Sequence, residues 1–102
     1  MSLANCYKGR YNTYIRTSNN GNYGTITITP VSGMRINTVV ITYANDYVDN
    51  NPRVSTGTRT ISGNTVTWTV NSTSSVTYTS SNNGTNNGRR ITNIQVTYAP
   101  AN

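Results

Sequence analysis

Residues 90–99 read Arg-Ile-Thr-Asn-Ile-Gln-Val-Thr-Tyr-Ala, and residues 35–44 read Arg-Ile-Asn-Thr-Val-Val-Ile-Thr-Tyr-Ala. Five of the ten positions are identical, which makes this decapeptide an internal repeat. The two-residue spacing of apolar side chains within it is typical of one face of a β-strand. A three-residue step before that spacing predicts a bulge near the start of each strand. We therefore expect two similar, kinked strands in one all-β core, with these residues facing inward: Ile36, Val39, Ile41, Tyr43, Ile91, Ile94, Val96 and Tyr98.

The rest of the chain also alternates between apolar and polar residues. The clearest segments are 24–29, 65–70 and 75–79, and a weaker one over 54–61 is broken at Gly57. Gly63-Asn64 predicts a tight hairpin turn, and 71–74 is also expected to turn. No segment has the 3.6-residue period of a helix. The sequence therefore predicts one domain over 1–102, with 1–3 as an added leader. The fold class is all-β: an antiparallel, jelly-roll-like β-sandwich of six to eight strands and no helix.

The composition is polar but favours order over disorder. Hydrophobic residues make up only 33% of the chain, and Asn, Ser and Thr supply nearly half of it. Disordered chains are usually rich in charge, whereas only 10% of these residues are charged and strand-forming Thr, Val, Ile and Tyr are abundant. The make-up is typical of an extracellular or cell-surface bacterial protein. Cys6 is the only cysteine, so no internal disulfide is expected.

The residues needed for proton transfer are scarce. General acid–base catalysis usually relies on His, Glu, Asp or Lys, and this chain has no His, no Glu and two Asp residues on one loop. Paired-carboxylate glycosidase chemistry needs two acids roughly 5–9.5 Å apart across a sugar, which Asp46 and Asp49 would reach only by accident. We therefore expect a protein that is not an enzyme.

The same two acids are weak candidates for a metal site. Asp46 and Asp49, with neighbouring Asn side chains, could offer oxygen ligands to Ca²⁺. The loop lacks the glycine and the closing glutamate of an EF-hand. A solvated turn is the simpler interpretation, so no cofactor is expected, with Ca²⁺ left as a weaker alternative.

Several tyrosines lie in irregular or loop-flanking sequence, beside Asn and Arg residues. A flat aromatic ring can cover the apolar face of a sugar while amides bind its hydroxyls. Ordinary packing of these tyrosines is the alternative. If the protein has a ligand site, the sequence predicts that it contains Tyr7, Tyr11, Tyr14, Arg16 and Tyr47.

The net charge of +6 makes an anionic partner conceivable. The cations are scattered, apart from the Arg89-Arg90 pair and a loose trio at Lys8, Arg10 and Arg16. We therefore expect no specific nucleic-acid binding. No stretch approaches the ~18 consecutive apolar residues of a membrane helix, so no membrane insertion is expected.

Five segments of the chain resemble a recurrent β-sandwich module of secreted bacterial surface proteins. They are NTYIRTSNNGNYGTITIT (12–29), RINTVVITY (35–43), GNTVTWT (63–69), SSVTYT (74–79) and GRRITNIQVTYA (88–99). The resemblance implies an accessory or adhesion domain beside secreted hydrolases or nucleases. Such modules have further N-terminal strands, which implies an open sheet edge here and homo-oligomers formed through it.

These observations together favour an extracellular, non-catalytic module that binds carbohydrate or another surface polymer. The alternative is a structural spacer or assembly module of a surface or phage-tail protein, with no small ligand.

Overall fold

The computed structural model of the protein describes residues 2–4, 6–8, 15–16, 18–19, 22–45, 47–81 and 89–101, with the backbone alone at 3–4, 7–8, 15–16, 18–19 and 22. Every regular element in these ranges is a β-strand, as predicted. No described helix is long and apolar enough to cross a membrane. The strands are β1 (Ser2–Ala4), β2 (Tyr7–Lys8), β3 (Ile15–Arg16), β4 (Ser18–Asn19), β5 (Asn22–Tyr23), β6 (Thr25–Ile28), β7 (Met34–Tyr43), β8 (Arg53–Val54), β9 (Thr58–Ser62), β10 (Thr65–Ser72), β11 (Val76–Thr79) and β12 (Arg90–Pro100).

Two antiparallel sheets form the sandwich. Sheet 1 has four strands in the order β1-β6-β11-β8, and sheet 2 has six in the order β2-β3-β12-β7-β10-β9. Strands β4 and β5 form a separate pair. Buried residues from both sheets make one hydrophobic cluster, which confirms the predicted β-sandwich. Six of the described strands have four or more residues, and the others have two or three.

A long antiparallel ribbon links the two sheets. In sheet 2, β10 pairs with β7 so that Val66 lies opposite Ile41, and in sheet 1, β11 pairs with β6 so that Tyr78 lies opposite Ile26. The chain therefore runs from β6 to β7 and returns from β10 to β11 as one folded-over hairpin. Such a rolled ribbon is the arrangement expected of a jelly-roll-like topology.

The two repeat strands are direct neighbours in sheet 2. β12 runs antiparallel to β7, with Ile94 opposite Ile41 and Val96 opposite Val39. The register shifts once between Ile91 and Asn93, where β12 has an extra residue, and once between Thr97 and Tyr98, where the extra residue belongs to β7. Both irregularities fall in the three-residue steps of the sequence, so the predicted bulges are confirmed.

The inward face of β12 is less deeply covered than that of β7. All four predicted inward residues of β7 are buried, and so is Ile91 of β12. By contrast, Ile94, Val96 and Tyr98 are half-buried and pack against the edge of the core. The strands of sheet 1 have at most four residues, whereas β12 has eleven. Sheet 1 therefore covers only part of the apolar face of β12.

Three aromatic side chains connect the sheets at the centre of the core. Tyr43 of sheet 2 and Tyr78 of sheet 1 are both buried, and their hydroxyl oxygens lie 2.6 Å apart in a hydrogen bond. The Trp68 ring lies 5.8 Å from the Tyr78 ring, tilted by 44°. Because the two hydroxyls are partners of each other, the tyrosine rings fill the core without leaving either hydroxyl unsatisfied.

The segment after Val70 departs from the sequence-based expectation. The sequence predicts a turn from Asn71, but β10 continues to Ser72. The pairing with β7 shifts register between Thr69 and Ser72, and Asn71 adopts a φ of 53°. Asn tolerates this left-handed conformation, so the strand absorbs one extra residue as a bulge and turns only afterwards.

Gly57 shapes the connection between β8 and β9. Its φ of 81° disfavours any other residue. A Cβ at this position would also fall inside contact distance of the Thr69 carbonyl oxygen and lie 3.3 Å from the indole nitrogen of Trp68. The same indole N–H donates a hydrogen bond of 2.7 Å to the carbonyl of Thr56. The connection therefore packs directly on the edge of the core.

We expect Tyr43 and Tyr78 to remain protonated in the folded protein at alkaline pH. Burial raises the pKa of both hydroxyls above the ordinary value of 10.0, and the Asp49 carboxylate adds to the rise. The unfolded chain loses these protons near pH 10 and the folded chain does not. The stability contributed by the pair is therefore fully present below pH 10 and falls as the pH rises further.

Tyrosinate absorbance during an alkaline titration checks this expectation. At least two of the eight tyrosines should ionise only as the protein unfolds. The double variant Tyr43→Phe/Tyr78→Phe should show two fewer such tyrosines than the wild type. Reversible ionisation of all eight in the folded protein would contradict the expectation.

Gly57→Ala should destabilise the protein more than Gly33→Ala does. Gly33 has the same φ of 81°, but no atom lies within 4 Å of the place that an alanine methyl group would take, so its substitution carries backbone strain alone, about 1–2 kcal/mol. Gly57→Ala adds the contact with Thr69 and should cost on the order of 3 kcal/mol or more. Urea unfolding of both variants measures the difference in stability. Equal unfolding midpoints would show that the contact between the new methyl group and the Thr69 carbonyl has no effect on stability.

Candidate functional site

Three segments meet at one end of sheet 2. They are the loop 44–52 after β7, the turn Gly63-Asn64 between β9 and β10, and residues 89–90 at the start of β12; we call this region the loop end. Backbone hydrogen bonds join them: Tyr43 N–H donates to Asn64 O at 2.8 Å, and Ala44 N–H donates to Arg90 O at 2.8 Å. The strand pairing of sheet 2 therefore continues into the loops and holds them together.

The turn in the loop end has the geometry that its sequence predicts. Ser62 and Thr65 are register partners, which leaves Gly63 and Asn64 as a two-residue connection. Gly63 has a φ of 58°, as a type II′ turn requires at its first central position. The Asn64 side chain then donates to the Tyr43 carbonyl at 3.0 Å and to the Asn45 side-chain oxygen at 3.4 Å. The turn is thus bound to the loop beside it.

An open depression of about 710 Å³ lies in the loop end. Of the six described residues that line it, five are polar, charged or glycine and one is apolar: Asn45, Val48, Asn50, Gly63, Asn64 and Arg89. Its surface therefore suits a ligand that carries hydroxyl or charged groups better than an apolar one.

Several amide groups of the depression are available to a ligand. Within the described part of the chain, the Asn50 carboxamide makes no hydrogen bond and is exposed, and the Asn64 side-chain oxygen accepts none. Asn45 uses its oxygen but not its NH₂ group among the same residues. A carboxamide has two donors and an acceptor that accepts two bonds. The depression therefore presents both donors and acceptors, which matches the hydrogen-bonding character of a hydroxyl group.

Tyr47 and Arg90 form a stacked pair beside the depression. The Arg90 guanidinium carbon lies 3.8 Å from the centre of the Tyr47 ring, within the range of a cation–π interaction. The Arg90 N–H also donates to the Tyr47 carbonyl at 3.3 Å. Because Arg90 covers one face of the ring, only the opposite face of Tyr47 could stack on a sugar.

The structure locates three of the five predicted site residues relative to one another. Tyr7 pairs in register with Arg16, and Arg16 pairs with Arg90, which contacts Tyr47. The backbone positions of these residues therefore form a row across sheet 2 that ends at the loop end. Tyr11 and Tyr14 lie outside the described residues, as do the side chains of Tyr7 and Arg16.

The expectation that Asp49 lies in a solvated turn is wrong. Its side chain is fully buried, and its carboxylate accepts hydrogen bonds from the backbone N–H groups of Asn51 at 3.0 Å and Ser81 at 2.8 Å, and from the Ser81 hydroxyl. A buried carboxylate is stable only with such partners. Asp49 therefore ties the loop after β7 to the segment that follows β11.

The predicted metal candidates do not form a cluster among the described residues. Asp46 lies outside these residues. Within them, no group of three or more His, Cys, Asp or Glu side chains could hold a metal ion.

The sequence reasoning did not assign the residues that line the depression. Asn45, Asn50 and Asn64 resemble the many other asparagines of the chain, so composition does not single them out. A local signal existed for two places: the Arg89-Arg90 pair directly precedes a repeat strand, and Gly63-Asn64 is a hairpin turn. Either feature could have predicted that its residues lie at the end of a strand. Neither could have predicted that the arginine pair and the turn lie beside each other.

Comparison with known proteins adds no identification. No protein family matches the chain, and no curated protein or solved structure matches it either.

Asp49→Asn should destabilise the protein by about 1–3 kcal/mol, because an NH₂ group would face hydrogen-bond donors that now meet an oxygen. Urea unfolding measures the loss. Ser81→Ala is the matched control, since it removes the hydroxyl donor and keeps the backbone bond, and it should cost about 1 kcal/mol. Wild-type stability in Asp49→Asn would show that the carboxylate is not needed as an acceptor.

Proposed function

We propose that this protein is a non-catalytic, extracellular binding module that recognises carbohydrate or a similar hydroxyl-rich surface polymer at the loop end. The observation that supports this most directly is the depression, whose asparagine side chains offer unused donors and acceptors. A saccharide hydroxyl both donates and accepts hydrogen bonds, as these amides do.

The shape of the depression supports a polymer rather than a small apolar ligand. It is open rather than enclosed, and Val48 is the one apolar side chain among the described residues that line it. Small-molecule pockets are mostly apolar and bury most of the ligand surface. An open polar depression allows a chain to continue beyond the site in both directions, as a polysaccharide would.

The rigidity of the loop end supports binding with little reorganisation. Backbone bonds from Tyr43 and Ala44, the Asn64 side chain and the buried Asp49 carboxylate all hold the surrounding loops. Ordering loops and side chains on association opposes binding, by about 0.5–1.5 kcal/mol for each immobilised long side chain. Loops that are already ordered reduce this opposing free energy.

Asn50→Ala should weaken binding to a glycan ligand about three- to tenfold. It removes a donor and an acceptor from the depression, and each net hydrogen bond contributes about 0.5–1.5 kcal/mol. A glycan array with neutral and acidic polysaccharides would first identify a ligand, and calorimetric titration would then compare the variants.

Asn37→Ala is the matched control, because Asn37 is an exposed asparagine at the other end of β7, and its loss should leave affinity unchanged. An array without any bound glycan would refute the proposal. Equal affinity of wild type and Asn50→Ala would refute its location.

An assembly module is the second candidate, and the position of β9 favours it. β9 lies at the end of sheet 2 and pairs with β10 alone among the described strands. An edge strand can pair with a strand from another chain. Concentration-dependent oligomers in light scattering, together with a silent glycan array, would favour this function over polymer binding.

A further inference from the structure

We infer that the polymer bound at the loop end is an acidic polysaccharide, and that Arg89 binds the carboxylate of a uronic acid unit. This inference rests on the proposed function and narrows the class of its ligand. Among the described residues, Arg89 is the one charged residue that lines the depression, and it shares that surface with Asn45, Asn50 and Asn64. The depression thus combines one cationic group with amides, as recognition of a sugar carrying a carboxylate and several hydroxyls requires.

Charge balance favours an anionic group at this place. The chain has eight cationic side chains and two acids. One of these acids, Asp49, already accepts three hydrogen bonds from uncharged donors of Asn51 and Ser81. The protein as a whole carries a net charge of +6, which favours a ligand that brings negative charge over a neutral one.

Arg89 lies where an ion pair is stronger than on an open surface. Its side chain is half-buried in the wall of the depression. Charges interact more strongly where water is partly excluded. A guanidinium also matches a carboxylate geometrically, since it can donate two parallel hydrogen bonds.

A second arginine adds positive potential at the same end of sheet 2. Arg90 follows Arg89 and is held over the Tyr47 ring at 3.8 Å. Its positive charge therefore lies beside the depression, where it favours an anionic ligand over a neutral one.

The described residues fit an acidic sugar better than a nucleic acid. Single-stranded nucleic acids bind to aromatic side chains on which successive bases stack. At the loop end the described aromatic platform is Tyr47, and Arg90 already covers one of its faces. The depression instead offers several amides, which suit hydroxyl groups.

The experiment compares polygalacturonate with fully methyl-esterified polygalacturonate, which has the same sugar backbone without the charge. Alginate and hyaluronate serve as further uronate polymers, and oligo(dT) as an unrelated anion. Calorimetric titration of each probe into the whole protein, at low and physiological salt, gives the affinities. We expect the wild type to bind at least one uronate polymer, and polygalacturonate at least tenfold more tightly than its ester.

Arg89→Gln should remove the preference for the charged polymer while leaving the weaker binding of the ester. Arg89→Lys should keep part of the preference, because it retains the charge but not the two-pronged donor. Arg53→Gln is the matched control: it removes the same charge from an exposed side chain on β8 of sheet 1, 5.1 Å from the Tyr23 ring, and should keep the full preference. Urea unfolding of each variant confirms that it is folded.

Three results would overturn the inference. Equal affinity for polygalacturonate and its ester would leave the proposed function standing but remove the acidic ligand. If no uronate polymer binds, the acidic ligand is also refuted. The glycan array then tests separately whether the protein binds any other carbohydrate. An equal loss in Arg53→Gln and Arg89→Gln, with tighter binding of oligo(dT) than of polygalacturonate, would show general attraction between charges instead of a site.

Discussion

The pairing of β7 with β12 forms the middle of sheet 2 and decides which of their side chains face the core. These repeat strands are the longest of the described chain, and their inward residues meet across the sheet, Ile94 beside Ile41 and Val96 beside Val39. A one-residue slip would turn every apolar side chain of one strand to the solvent. The bulges preserve this match, because each strand contributes one extra residue and both therefore keep their apolar faces inward. The same pairing brings residues 89–90 beside the loop that follows β7.

Polar interactions determine how the two sheets and their loops fit together. The hydrogen bond between the hydroxyls of Tyr43 and Tyr78 crosses the core, and the buried Asp49 carboxylate joins the loop after β7 to Ser81. Leaving any of these groups unpaired would cost about 1–3 kcal/mol, which is a large share of the stability of a small domain. The packing of the two sheets therefore depends partly on these buried hydrogen bonds. The bonds of Asp49 also hold the loop after β7, which makes the loop end more rigid.

The proposed binding surface is a consequence of this arrangement. Sheet pairing brings together the loop 44–52, the turn Gly63-Asn64 and Arg89, so that a depression forms between elements far apart in the sequence. Its asparagines lie in a loop and a turn that hydrogen bonds tie to sheet 2, which reduces the ordering that binding requires. The described lining residues supply three amides and one guanidinium, and the proposed binding of an anionic polymer rests on these groups.

Sequence patterns are enough to predict the all-β class, the inward residues of the repeat strands, their bulges and the Gly63-Asn64 turn, because spacing and turn chemistry are local properties. The sequence selected Tyr47 and Arg16 by residue type and neighbouring residues, and it did not predict that Arg90 would link their positions. The tertiary structure alone decided that the two repeats lie side by side, that Asp49 is buried, and that Asn45, Asn50, Asn64 and Arg89 share one surface. Strand partners are chosen by contacts between distant residues, and one asparagine in a polar loop is locally indistinguishable from the next until those contacts form.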